Sequence, residues 1–250
     1  MFIKLLFTSL LFLNMAQASQ ITIAVAANVS YAIEALKQEF MTTHNDVKVR
    51  VILGSSGKLS AQIQHGAPYD LFMSANMRYP EYLYKNHMAV TKPLVYAQGA
   101  LAMMSRDASN FSKGLALLKE SSIKKIAIAN PKTAPYGKAA YEALKNEKLY
   151  DALKGKFIYG ESIAQTLSYT ISAADIGIIA KSALYSPHMK KYQKGVNWVD
   201  VDTELYTPIE QGVVILKHGK NSSDVKKFYD FILSAKAQKI LEDFGYIYHE

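Results

Sequence analysis

The 250-residue sequence contains no cysteine. No disulfide can form, and no thiol is available to carry a lipid at a mature N-terminus. The six histidines, His44, His65, His87, His188, His218 and His249, form neither an i,i+4 pair nor an H-E-x-x-H set, so no metal-cation site is expected. Tryptophan occurs once, at Trp198. Beyond the first residues no apolar run approaches the length of a membrane span. Internal repeats, low-complexity tracts and linkers are absent. Acidic residues are outnumbered 21 to 29 by Lys and Arg, giving a net charge of +8. The basic residues are scattered, with doublets at Lys124-Lys125, Lys190-Lys191 and Lys226-Lys227. That pattern reads as a solvated basic surface, and no nucleic-acid partner is expected.

Half of the residues are hydrophobic, enough for a sizeable core. Lys4, the apolar run Leu5 to Met15 and the small-x-small triplet Ala16-Gln17-Ala18 make residues 1–18 a secretory signal peptide by pattern. A soluble, monomeric periplasmic protein beginning near Ser19 is the expectation.

The stretch of most interest runs from Val51 to Ser60. Val47, Val49, Val51 and Leu53 alternate as in a strand, and Leu59 and Ile63 then take helical spacing. Gly54-Ser55-Ser56-Gly57 lies between them, so several free backbone N–H groups and a helix dipole meet at one spot, which favours an anion. A nucleotide-binding loop needs four residues between its glycines and a Ser or Thr after the Lys, whereas Leu59 follows Lys58 here. A hydrolase elbow, Gly-x-Ser-x-Gly, is one residue longer. The plain alternative is a βα turn with a serine cap.

Elsewhere Ile21, Ile23 and Val25 read as a strand ending at Ala26-Ala27-Asn28, with Asn28 or Ser30 able to cap the helix marked by Ile33, Leu36 and Phe40. Leu71–Met73, Ile126–Ala129, Phe157–Tyr159, Ile176–Ile179 and Val213–Leu216 read as short strands. Pro80–Asn86, the segment after Pro135, the segment after Ser162, Asp224–Leu233 and Ala237–Phe244 read as helices. The run from Leu94 to Met104, broken at Gly99, suits a strand passing from one lobe to another. Alternating strands and helices give an α/β class with mainly parallel sheets. Ligands in such sheets bind beyond the carboxyl ends of strands. The turns at Asn28, Ser55-Ser56, Pro135-Tyr136 and Ser162-Ile163 would converge if two sheets faced each other. Asp70 and Asp175 each precede a buried strand and read as carboxylates that accept backbone hydrogen bonds.

The mature chain resembles the periplasmic molybdate-binding proteins of ABC importers throughout its length. The stretches that carry the likeness are Ala26-Ala27-Asn28, Gly54-Ser55-Ser56-Gly57 with Leu59, Gln62 and Ile63, and Gly66-Ala67-Pro68-Tyr69-Asp70-Leu71-Phe72-Met73-Ser74-Ala75. Further on come Asn130-Pro131 with Pro135-Tyr136-Gly137, then Ile176-Gly177-Ile178, and Lys227-Phe228-Tyr229-Asp230-Phe231. The resemblance implies a two-lobed, type II periplasmic binding fold whose chain crosses the hinge twice. Residues 19–98 plus 206–250 would form lobe 1, and residues 99–205 lobe 2, with a hinge near Gly99 and Tyr206. It further implies a non-enzymatic binding protein without catalytic residues or cofactor, which takes molybdate and also tungstate and delivers it to a membrane permease. The oxyanion would be held by neutral donors at Asn28, where the family commonly has Ser, at the Ser56 hydroxyl, and at the backbone N–H groups of Tyr136 and Ile163. A fifth contact in the family is a Tyr hydroxyl at the position that is Ala180 here. Two roles are open for the Tyr136 phenol: supplying the missing donor, or filling the space vacated at Ala180.

A shell of donors fits a fully deprotonated dianion and rejects hydrogen phosphate, whose own O–H would meet a donor; cavity size would have to separate molybdate from sulfate. The alternatives are a binding protein for another oxyanion such as sulfate and, from a different class, a secreted hydrolase using one of the serines.

Overall fold

The computed structural model describes residues 19–247. The leader expected over residues 1–18 lies outside the described residues. The elements follow in the order β1 (Ser19–Ala26), α1 (Ile33–Met41), β2 (Val47–Gly54), α2 (Ser56–Gln64), β3 (Leu71–Met73), α3 (Arg78–Lys85) and β4 (Leu94–Gly99). The chain continues through β5 (Leu101–Met104), β6 (Ile126–Ala129), α4 (Pro135–Asn146), α5 (Tyr150–Leu153), β7 (Phe157–Gly160), α6 (Ile163–Ser172), β8 (Ile176–Ala180) and β9 (Trp198–Asp200). It closes with β10 (Ile209–Ile215), α7 (Ser223–Ile232) and α8 (Ala235–Asp243).

Two five-stranded sheets result, ordered β2-β1-β3-β10-β4 and β7-β6-β8-β5-β9. The single sequence run Leu94–Met104 supplies a strand to each, and the chain returns to the first sheet between Asp200 and Ile209. Both sheets are mixed. In the first, β1 pairs in parallel with β2 and β3, whereas β10 runs antiparallel to β3 and β4. In the second, β6 pairs in parallel with β7 and β8, and β5 is antiparallel to β8 and β9. The parallel halves are strand–helix–strand units, which require crossover helices. The antiparallel halves contain the crossing strands, which enter from the other sheet.

Side-chain alternation covers each sheet on both faces. In the first sheet Ile21, Ile23 and Val25 meet Leu36 and Phe40 of α1, Val225 and Phe228 of α7 and Leu241 of α8. On the opposite face Ala24, Phe72 and Val214 meet Leu59 and Ile63 of α2 and Leu83 of α3. Phe40 and Phe228 pack edge to face at 5.0 Å between ring centroids, a favourable aromatic geometry. In the second sheet Ile126, Ile128, Ile176 and Ile178 meet Ala140, Ala143 and Leu144 of α4. On its other face Ala102, Met104 and Ile179 meet Leu167 of α6 and Trp198. Each fully buried Leu, Ile or Phe contributes about 1.5–3 kcal/mol, so these four faces hold the α/β layers together.

The start of α1 departs from expectation. A 3-10 turn, Ala27–Tyr31, precedes it, Ala32 is the residue before the first helical turn, and no side chain caps it. Asn28 is drawn into a buried polar cluster instead. Asp70 accepts from Thr22 N at 2.6 Å and contacts His218 Nδ1 at 2.6 Å. Asp175 accepts from the backbone N–H groups of Lys124 and Lys125 at 2.7 and 2.8 Å.

Close packing of α6 on β8 rests on Gly177, where a Cβ would lie 1.8 Å from Thr170 Oγ1. Gly177→Ala should therefore destabilise the protein by about 1–3 kcal/mol through overpacking. Calorimetry should show a melting temperature lower by several degrees, with part of the loss recovered by adding Thr170→Ala.

Candidate functional site

The first strand of each βα unit ends at a helix start, and four such starts meet between the sheets. Ala27 and Asn28 open the 3-10 turn after β1, and Ser55-Ser56 opens α2 after β2. Pro135-Tyr136 opens α4 after β6, and Ile163 opens α6 after β7. These residues, with Ala75 and Ala134, line one small, tightly closed cavity of about 10 Å³. Asn28, Ser56, Tyr136 and Ile163, scattered over the sequence, are thus brought together, each at the start of a helical segment. Ala180 ends β8, pairs with Leu101, and lies in the apolar cluster behind the cavity rather than on its wall.

First-turn N–H groups have no intrahelical acceptor. Those of Ser56, Tyr136 and Ile163 find none elsewhere among the described residues. Pro135 suits the first position of α4 because its missing N–H is one that would be unpaired there. Serine capping, the plain reading of the Ser55-Ser56 turn, is not what these hydroxyls do. Ser55 precedes α2 without a side-chain cap bond, and its buried Oγ has no partner among the described residues. Ser56 Oγ accepts from Ala75 N at 2.9 Å, which leaves its own O–H free to donate. Ser162 does cap, accepting from Gln165 N at 3.2 Å, and so leaves the Ile163 N–H available.

No carboxylate, imidazole, guanidinium or ammonium group lines the cavity. Its only charge-like features are three α-helix N-termini and the first turn of the 3-10 segment, all presenting donors. The arrangement can hold an acceptor-rich, negatively charged group, and it offers no general base beside either serine.

Behind the cavity sits a polar cluster that sequence reasoning missed. Gln211, fully buried on β10, accepts from Asn28 Nδ2 at 2.8 Å and from the Tyr96 hydroxyl at 3.0 Å, and donates through Nε2 to the Tyr136 hydroxyl at 3.1 Å. Asn28 Nδ2 also reaches the Tyr246 hydroxyl at 2.9 Å, and that hydroxyl donates to Asn28 O at 2.9 Å. Ser182 Oγ donates to Asn28 O from the second sheet's side at 3.2 Å. Burial pushes the Tyr96 and Tyr136 phenols well up and that of Tyr246 up to about 12, so all three stay neutral at physiological pH. The signal available was the polar pair Gln211-Gly212 ahead of the apolar run Val213–Ile215 of β10, where the β4 pairing shifts register at a bulge. Bulges commonly re-aim side chains near sites.

These contacts place the Tyr136 phenol. Its hydroxyl faces Gln211, and a Cβ added at Gly99 would lie 2.0 Å from it. The ring packs in the same cluster as Ala180. The phenol is therefore engaged with β10 and the crossing strand; its hydroxyl accepts from Gln211 and keeps its own proton to donate, so this bond leaves both roles considered for it open.

The two sheets touch around the cavity. Gly57 N donates to Thr133 O at 3.0 Å, and Lys58 pairs with Glu161 at 2.9 Å. The ion pair is exposed and contributes little, about 0–1 kcal/mol.

The bacterial extracellular solute-binding protein family matches residues 21–247. The molybdate-binding protein ModA of Azotobacter vinelandii is 35% identical over 235 residues, covering 92% of this chain and 91% of the relative. The molybdate-binding protein ModA of Rhodobacter capsulatus is 33% identical over 234 residues, covering 93% and 90%. The solved structure of the Azotobacter vinelandii periplasmic molybdate-binding protein superposes with a TM-score of 0.84 at 29% identity, covering 92% of this chain and all of that one.

The Gly57 contact sets how closely the two halves approach. A Cβ there would lie 2.7 Å from the Tyr79 hydroxyl and 2.8 Å from Thr133 O. Gly57→Ala should leave the fold intact but hold the halves apart, and small-angle scattering should report a larger radius of gyration than for the parent.

Proposed function

Since the chain belongs to the bacterial extracellular solute-binding protein family, we propose that it captures molybdate, and tungstate by the same chemistry, in the cavity between its sheets and delivers it to the membrane permease of an ABC importer. The observation that carries this reading is the cavity wall itself: helix-start N–H groups and serine hydroxyls without protein acceptors, and no charged side chain among them. Such a wall complements a tetrahedral dianion. The Ser56 hydroxyl and the N–H groups of Tyr136 and Ile163 donate to its oxygens, and Asn28 completes the set from the first strand. No cofactor and no catalytic step are involved; the protein acts by capture and release.

Hydrogen bonds to a charged partner contribute about 1.5–3 kcal/mol each. Several together exceed the cost of holding the lobes closed and reach micromolar binding or tighter, about −8 kcal/mol. The lobes are divided near Gly99 and Tyr206, residues 19–98 with 206–250 against residues 99–205, and the hinge opens there to admit the ligand. Tyr206 suits a hinge position because its hydroxyl accepts from Leu101 N at 3.0 Å, tying the two crossing segments together. The protein works as a monomer in the periplasm. Because it has no cysteine, it is free of a thioether lipid anchor.

A panel of oxyanions tests ligand identity. At a hundred times the dissociation constant a ligand stabilises the fold by about 2.7 kcal/mol. Molybdate and tungstate should then raise the melting temperature by about 5–10 °C, and sulfate and phosphate at equal concentration should barely move it. Equal shifts with sulfate would contradict selection by size, and equal shifts with all anions would point to the basic surface.

Ser56→Ala deletes one donor and should weaken molybdate binding by about 1.5–3 kcal/mol. It also leaves Ala75 N without its acceptor, so the unliganded protein should melt slightly lower. Titration calorimetry at a temperature where both proteins are folded separates the two effects. Unchanged affinity would reduce the serine to a structural part of the turn.

A further inference from the structure

Asn28 is 1% exposed and lines the cavity, yet its amide is turned so that Nδ2 points at Gln211 and Tyr246. The other arm, Oδ1, is buried without a partner among the described residues. A carbonyl-type oxygen cannot serve a dianion, which is itself only an acceptor. For Asn28 to join the donor set its amide must be reversed, with Nδ2 toward the cavity and Oδ1 toward Gln211.

The surrounding groups allow that reversal with no heavy atom moving besides the amide oxygens and nitrogens themselves. An amide reversed about its terminal bond keeps its outline and exchanges donor for acceptor. If Gln211 reverses as well, its Nε2 donates to Asn28 Oδ1 and to the Tyr96 hydroxyl, and its Oε1 accepts from the Tyr136 hydroxyl. The three phenols are neutral and can each donate or accept by rotating one proton. Asn28 O keeps its Ser182 donor in either case. The bonds between Asn28, Gln211 and the phenols can be made in both orientations, but only the reversed one puts a donor where Asn28 now has its orphaned oxygen.

We propose that Gln211 is a positioning residue for the anion site: its side-chain amide dictates which atom of Asn28 faces the cavity, and oxyanion binding is coupled to the concerted reversal of both amides. This rests on the oxyanion reading given above. It supplies a replacement for the donor missing at Ala180, and it links the ligand to Tyr136 beside Gly99, where the chain crosses between sheets.

The test is a double-variant cycle read by titration calorimetry with molybdate. Gln211→Met keeps the side-chain length and removes both amide functions, so Asn28 loses its orienting partner. Affinity should fall about ten- to a hundredfold, the worth of one hydrogen bond to a charged ligand. Asn28→Ala should cost a similar factor, and the double variant little more than either, because both act through one donor. Losses that multiply in the double variant would overturn the proposal, since a merely structural role for Gln211 would persist without Asn28. Undiminished affinity in Gln211→Met would overturn it too. If that variant fails to fold, side-chain amide NMR of the 15N-labelled parent decides. The Asn28 and Gln211 NH2 signals should both shift on adding molybdate, the former identified by its absence in Asn28→Ser; unshifted signals would overturn the proposal. A parent that does not bind molybdate at all would instead refute the oxyanion reading.

Discussion

Backbone N–H groups that a helix cannot satisfy by itself have to find acceptors, and here three α-helices present theirs to one buried spot. Ser56, Tyr136 and Ile163 begin helices at the carboxyl ends of β2, β6 and β7, and Asn28 begins the turn after β1. Leaving a buried donor unpaired costs about 1–3 kcal/mol. The cavity is thus a set of unmet hydrogen bonds held in register by two sheets. The sheets, the crossing strands and the covering helices can all be understood as what keeps those donors aimed at one another's neighbourhood. An oxyanion would satisfy them together, and a wall of that kind needs no lysine or arginine to hold a dianion.

Closure around that spot is achieved by small residues and neutral groups. Gly57 approaches Thr133 across the gap, Ala27 and Ala75 pack into the apolar cluster of the second sheet, and Ser182 donates to Asn28 O. Gln211 joins Asn28 to Tyr136 through one amide. Each sheet keeps its own helices on both faces.

Much of this was legible in the chain. Strand and helix periods located the main elements to within a few residues, and Gly99 marked the break at which one apolar run feeds two sheets. The convergence of the four turns followed from where ligands bind in open α/β sheets. Three features were not legible. The antiparallel halves depend on which strands cross between sheets, a property of topology rather than of local pattern. The 3-10 turn at Asn28 arises because its side chain is claimed by Gln211 and Tyr246, 183 and 218 residues away, against local capping preference. The Tyr136 phenol was considered for the anion because its position suggested a swap with Ala180. Its partner on β10 was invisible until the bulge at Gln211-Gly212 was in view.

The central claim is that a single dianion is held by neutral donors from both halves of the molecule. The most direct measurement is a crystal structure grown with tungstate, with data collected at the tungsten absorption edge. The account predicts one strong anomalous peak in the cavity, with oxygens about 2.7–3.1 Å from the Ser56 hydroxyl, the Tyr136 and Ile163 N–H groups and the Asn28 side chain. A peak on the lysine-rich surface with the cavity unoccupied, or a cavity peak contacted from one sheet only, would contradict it.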